Sequence, residues 1–283
     1  MKNVLLIIFV FLLLWNKIIF PQNLFTVKNR TTFGNYLFCK KDYLRAIDEF
    51  SFVLEKKWSD TLQFKIGAAY YAMEQYSNAI IEFSKINKSS SLYLQGNRES
   101  LRSLYHLENY SLLRQKADSL FRHEKLPEFL RIKNVTFLLD DSGLPSKQNF
   151  LSPFGKKDKQ QLSLYYNWKK IPPYKSPITA AIISAVIPGS GKIYAGEVGD
   201  GITAFLLTGL FTYLAVDKFQ NNYNTSAWIY TGLAAFFYAG NIYGSAAAVQ
   251  NYNAGIRFNF DKEVKVFINK RNHFMNKAKF LCK

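Results

Sequence analysis

The stretch Ile187-Pro188-Gly189-Ser190-Gly191-Lys192-Ile193-Tyr194-Ala195-Gly196 joins two apolar regions of the chain and has almost no bulk of its own. Proline halts a helix and glycine permits left-handed or closely apposed backbone, so Pro188, Gly189, Gly191 and Gly196 spell a tight, close-packed turn. Residues 201–216 follow as an apolar run without charge, and residues 226–249 form a second one rich in Ala, Gly and aromatics. This pattern predicts a membrane domain over residues 176–255, with two transmembrane helices at about 201–218 and 226–249 and a short or re-entrant helix before them.

Three readings of the turn compete. Gly189-Ser190-Gly191-Lys192 invites comparison with a phosphate-binding loop, but that motif needs Gly where Val186 stands and Ser or Thr where Ile193 stands. A second reading is a turn whose glycines only let helices approach. The third is a resemblance: Pro188-Gly-x-Gly191-x-x-Tyr194-x-Gly196, followed by Gly199-Asp200-Gly201 and two apolar runs, resembles a small two-helix membrane domain of bacterial membrane proteins of unknown role. The resemblance implies an architecture and carries no catalytic residue.

Within the membrane domain, Gly240 and Gly244, extended by Ala247, make a small-x-x-x-small stripe that predicts close packing against Ala204, Thr208 and Gly209. Thr203, Thr208, Thr212 and Thr231 are expected to return their hydroxyls to helix carbonyls. Glu197 and Asp200 are expected at the N-terminus of the first long helix, where acidic side chains are favoured.

The formal charge of +17 is concentrated. Residues 151–175 hold six Lys against one Asp, and residues 256–283 hold eight basic residues against two acids, so these flanks account for eleven of the seventeen net charges. Basic flanks around apolar runs predict contact with anionic lipid headgroups, at about 1 kcal/mol per residue. Tyr165, Tyr166, Trp168 and Tyr174 fit interfacial anchors. Residues 146–175 read as a basic aromatic linker and residues 256–283 as a basic tail. Nucleic acid is not an expected partner, because no binding signature accompanies the charge.

Lys2 and the apolar residues 4–15 predict a signal peptide or signal anchor over residues 1–22. Cys39 and Cys282 stand far apart with no Cys or His nearby at metal-ligand spacing, so neither a metal site nor a disulfide is expected, and Cys39 reads as a small buried residue. His106, His123 and His273 are equally scattered.

Between these regions, Gly34, Tyr43, Ala46 and Phe50 recur as Gly67, Tyr76, Ala79 and Phe83, each 33 residues later. These positions resemble the tetratricopeptide pattern, in which small residues let two antiparallel helices touch. The fold class expected is therefore all-α, a tetratricopeptide-like helical-repeat solenoid over residues 23–145 followed by a C-terminal transmembrane helical hairpin. A third unit with Leu101, Leu104, Tyr110, Leu113, Ala117 and Leu120 lacks Gly or Ala at the close-contact positions and reads as a cap. Stacked helix pairs make a concave surface for peptides or partner helices, and its candidate residues on the first helices are Asn35, Phe38, Lys65 and Ala69.

No nucleophile and base set, paired acids or phosphate loop emerges, so neither enzymatic activity nor any cofactor, metal or nucleotide is expected. The function expected is a membrane-anchored scaffold or adaptor of the bacterial envelope that binds a partner protein through its repeats. The alternative is an accessory subunit of a transport or lipid-handling complex. Topology is in tension: two basic flanks favour the cytoplasm, whereas the N-terminal segment favours export, and a periplasmic repeat domain at the inner membrane is the preferred outcome.

Overall fold

The computed structural model describes residues 25–276 and Cys282; the expected signal at residues 1–22 lies outside them. The described residues form thirteen α-helices and one 3-10 turn, with no strand. They fall into two compact units, one holding the described residues up to Lys116 with Asn276 and Cys282, the other running from Ala117 to Met275.

The first unit contains α1 (Val27–Cys39), α2 (Tyr43–Lys56), α3 (Asp60–Ala72), α4 (Tyr76–Ser84), α5 (Tyr93–His106) and the first part of α6 (Tyr110–Glu124). Thr26 and Ser59 start α1 and α3 by accepting hydrogen bonds from the amides of Asn29 and Leu62, which satisfies donors that a helix start leaves open. The turns inside the three pairs are alike. Lys41, Glu74 and Glu108 take left-handed φ values of 66°, 61° and 55°, and the next amide returns to the carbonyl of Leu37, Tyr70 or Leu104. The 33-residue period therefore has a backbone counterpart, and the same turn recurs 34 residues later in the third pair.

Glycine allows the pairs to close. A Cβ on Gly34 would sit 2.7 Å from the Phe50 ring, and one on Gly67 would sit 2.7 Å from the Phe83 ring. Ala46 and Ala79 are fully buried beside them. In the third pair Ser100 is fully buried, and its hydroxyl accepts a hydrogen bond from Lys116 at 2.6 Å. Because Glu108 follows Glu74 by 34 residues, the position answering Gly67 is the fully buried Leu101, so the third pair lacks a Gly or Ala at that contact, as expected.

The disulfide between Cys39 and Cys282 corrects the expectation of unpaired cysteines, and Cys39 is exposed instead of buried. Sequence could not show it, since 243 residues separate the two. The Asn276 carbonyl, from the same tail, accepts hydrogen bonds from Arg102 at 3.0 Å and Gln95 at 3.3 Å.

In the second unit, α7 (Pro127–Thr136), α8 (Lys147–Leu151) and α9 (Lys156–Lys170) bury Phe129, Ile132, Phe150 and Leu162 completely. The side-chain amide of Asn134 donates to the Phe150 carbonyl at 2.8 Å, and Tyr166 donates to the Pro145 carbonyl at 2.8 Å. Residues 146–175, expected as a linker, thus contain two helices, Lys147–Leu151 and Lys156–Lys170, with buried side chains. Their aromatics are engaged by protein, because Trp168 stacks on Phe260 with centroids 4.0 Å apart and Tyr165 packs edge-on against Phe260 and Phe267.

The rest of the unit is α10 (Pro177–Val186), α11 (Ser190–Ala195), α12 (Val198–Gln220) and α13 (Asn224–Lys270). The expected second span and much of the expected tail belong to the single 47-residue α13, about 70 Å long at 1.5 Å per residue. Among the described residues, α12 is the one helix long and apolar enough to cross a membrane, with mean hydropathy 1.4; residues 226–249 fall short of it. Tyr, Ser, Gly and Asn dilute their apolar content.

Candidate functional site

The Pro-Gly turn packs backbone on backbone. Gly189 has φ +88° at the start of α11, and a Cβ there would lie 1.9 Å from the carbonyl oxygen of Gly201. A Cβ on Gly191 would lie 2.1 Å from the Ala180 carbonyl oxygen and 2.5 Å from Ser184 Oγ. Both positions exclude any side chain. Gly196 differs, since nothing lies within 4 Å of its missing Cβ and its φ of +105°, closing α11, is what calls for glycine. Pro188 precedes the turn, half-buried. Tyr194 accepts Lys175 Nζ on its carbonyl at 2.9 Å, and that ammonium lies 4.0 Å from the Tyr252 ring centroid.

Side chains that the sequence reading did not single out hold this backbone in place. Asn241 accepts the Gly189 amide at 2.9 Å and donates to the Ser184 carbonyl at 3.2 Å. Ser184 accepts the Gly191 amide at 2.8 Å and shares a 2.6 Å hydrogen bond with Ser245. All three are buried, so these bonds replace water that the amides cannot reach. The signal that could have found them is the polar spacing on α13: Asn241, Ser245 and buried Ala248 recur at intervals of four and three, one residue out of phase with the glycine stripe.

That phase corrects the packing expected of Gly240 and Gly244. A Cβ on Gly240 or on Gly209 would meet nothing within 4 Å, and one on Gly244 would meet only the Lys192 side chain. The α13 face that turns toward α10 and α11 is instead the Asn241 face. Thr203, Thr212 and Thr231 do bond carbonyls one turn back, whereas the buried Thr208 hydroxyl finds no partner among the described residues. Glu197 stands at the N-cap of α12 without a side-chain capping bond, and Asp200 lies in the first turn.

In the first unit, Asn35, Phe38 and Lys65 come together across α1 and α3. Lys65 Nζ donates to Asn35 Oδ1 at 2.6 Å and lies 5.9 Å from the Phe38 ring centroid. Burial lowers the Lys65 pKa from the ordinary lysine value. Phe38 and Ala69 are not groove residues: both are buried in the core shared by α1, α2 and α3. Spacing placed them on first helices, but helix rotation turns them inward. Tyr36, 58% exposed, and Phe33 are accessible aromatics of the first helix. Deeper in the unit, burial brings Lys116 down to about 8 and raises Tyr71 to about 12.

No protein-family model matches the chain, and no solved structure matches it. An uncharacterised protein of the archaeon Methanocaldococcus jannaschii is 35% identical over 77 residues, 26% of this chain and 74% of the archaeal one. The chain belongs to that protein's family. Membership accounts for about a quarter of the chain and assigns it no ligand or reaction, so the chemistry must be read from the residues.

No group of three or more His, Cys, Asp or Glu that could hold a metal ion occurs among the described residues. The second unit instead has a cavity of about 350 Å³ between α12 and α13, where Lys192 and Asp200 meet Thr203, Asn241, Phe236 and Phe237.

Proposed function

We propose that this protein is a membrane-anchored scaffold or adaptor of the bacterial envelope. Its tetratricopeptide-like helix pairs would bind a partner protein, and a hairpin of α12 and the first half of α13 would anchor the complex in the inner membrane. The role is one of binding, with no catalytic step. The observation that carries it is the repetition of one helix pair, with the same left-handed turn at Lys41, Glu74 and Glu108 and the same glycine-to-aromatic contact at Gly34 and Gly67. Repeated pairs align their first helices into one surface suited to a peptide or helix.

Two further observations support the anchoring. Apolar residues of α10, α12 and α13 face outward from the second unit, among them Val186 at 77%, Leu206 at 61% and Phe236 at 72% exposure, a pattern that suits lipid and penalises water. The disulfide supports an oxidising compartment for the repeats and for the chain end alike. Because it joins residues 39 and 282, it favours an even number of crossings between them, as a hairpin makes. It thereby weighs against the cytoplasmic placement that the basic flanks suggest.

A photo-crosslinking residue placed at Tyr36, on a first helix, in the full-length chain should form a discrete adduct in membranes, and one at Leu44, on a second helix, should not. Equal adducts from both positions, or none, would sink the adaptor reading. For the compartment, maleimide labelling of whole-cell protein without reductant should find Cys39 and Cys282 oxidised. Two free thiols would place the repeats in the cytoplasm.

A further inference from the structure

The glycines of α13 leave room for a side chain instead of a helix. A Cβ on Gly244 would lie 3.3 Å from Lys192 Cε and 3.7 Å from its Nζ, and Gly240 faces open space. The Lys192 stem therefore lies along α13, and Lys192 lines the cavity between α12 and α13. Asp200, from the first turn of α12, lines the same cavity. Neither Lys192 nor Asp200 has an ion-pair partner within 4 Å among the described residues. The Asn241 amide is already committed to Gly189 and Ser184, and Thr203 donates its proton to the Gly199 carbonyl. One cation and one anion are thus the uncommitted groups, with Phe236 and Phe237 as an apolar wall.

We propose that this cavity binds a zwitterionic phosphoethanolamine group. Lys192 pairs with its phosphate, Asp200 with its ammonium, and the phenyl rings flank whatever apolar chain it bears. The inference rests on the membrane-anchored reading above. Charge decides the class. A simple anion suited to Lys192 would be opposed by Asp200, and a simple cation suited to Asp200 would be opposed by Lys192. A ligand with one charge of each sign satisfies both. The ligand chemistry could come from a phospholipid or from a soluble head group, and the two sources separate by whether the acyl chains are needed.

The full-length protein, extracted from membranes in dodecyl maltoside, is incubated separately with phosphatidylethanolamine, phosphatidylglycerol and soluble glycerophosphoethanolamine. Native mass spectrometry then reads retention. One phosphatidylethanolamine should be retained, with phosphatidylglycerol at least tenfold weaker. Competition by glycerophosphoethanolamine identifies the head group as sufficient, and its failure to compete identifies the lipid as the ligand. Lys192→Gln and Asp200→Asn should each lower retention at least tenfold, and Lys192→Arg should restore most of it. Gly240→Leu keeps both charges and enters open space, so it should fold with an unchanged circular dichroism spectrum yet block binding. Equal retention by wild type and all variants overturns the proposal, as does phosphatidylglycerol held as well as phosphatidylethanolamine. A chain that leaves the membrane fraction without detergent overturns the anchoring as well; a membrane-bound chain that retains no lipid overturns the site alone.

Discussion

The helix pairs of the first unit and the Pro-Gly turn of the second both depend on glycine, but against different neighbours. Gly34 and Gly67 make room for a phenyl ring, whose burial is the gain. Gly189 and Gly191 make room for carbonyl oxygens and buried hydroxyls, and the gain there is a set of hydrogen bonds through Asn241, Ser184 and Ser245. The lesson concerns solvent. On the membrane-anchored reading proposed above, water surrounds the first unit and apolar burial supplies its driving force, whereas in lipid sequestering apolar groups earns little and close backbone contact with satisfied polar groups has to serve.

The comparison breaks most sharply at Gly191. Gly191→Val would force a side chain into the Ala180 carbonyl, so we expect loss of folded protein at or beyond the upper end of the about 1–3 kcal/mol typical of overpacking. Size-exclusion chromatography of the detergent-extracted chain checks it, with Gly240→Val as a tolerated control. If both behave alike, the turn is not the close contact.

Next is the polar support. Asn241→Leu strands the buried Gly189 amide and should cost about 1–3 kcal/mol, read as a lower unfolding midpoint in denaturant. An unchanged midpoint would mean that water or another donor reaches the turn.

At Gly67 two effects oppose. Alanine gains about 1 kcal/mol of helix propensity, while its methyl meets the Phe83 ring at 2.7 Å. A ring can shift more easily than a carbonyl, so Gly67→Ala should destabilise by about 1 kcal/mol net, and the double variant with Phe83→Leu should recover it. Failure of the second change to rescue would disconnect glycine from ring.

The smallest effect sharpens the first unit alone. Burial lowers the Lys116 pKa from 10.5 to about 8, so between these values the unfolded chain binds the proton that the folded chain releases. Stability therefore rises as pH increases from about 8 to 10.5 and is flat below 8. Lys116→Met should reduce that slope and stabilise the chain at neutral pH by about 1 kcal/mol, since removing a desolvated charge outweighs the lost bond to Ser100. Denaturation at pH 7 and at pH 10 tests it, and an unchanged slope would show Lys116 to be hydrated.

Repeat positions were legible in the sequence because each lies within a helix pair only some thirty residues long, where spacing alone brings Gly34 to Phe50 and Gly67 to Phe83. The turn glycines were legible for the same local reason. Gly240 and Gly244 misled because a small-residue stripe names a helix face but not what fills it, and here Lys192 does so. Phe38 and Ala69 misled because first-helix membership does not specify rotation.

By itself, the sequence determined that the described residues are all-helical, that a 33-residue unit recurs before the Pro-Gly turn, and that Gly189 and Gly191 tolerate no bulk. Those features follow from periodicity and backbone sterics, which act over a few residues. Tertiary structure alone decided that Cys39 bonds Cys282, that Asn241 and Ser245 support the turn, and that Tyr165 and Trp168 pack on Phe260. Each of these joins groups more than fifty residues apart or depends on which face of α13 turns inward, and neither distance nor rotation is written in local spacing.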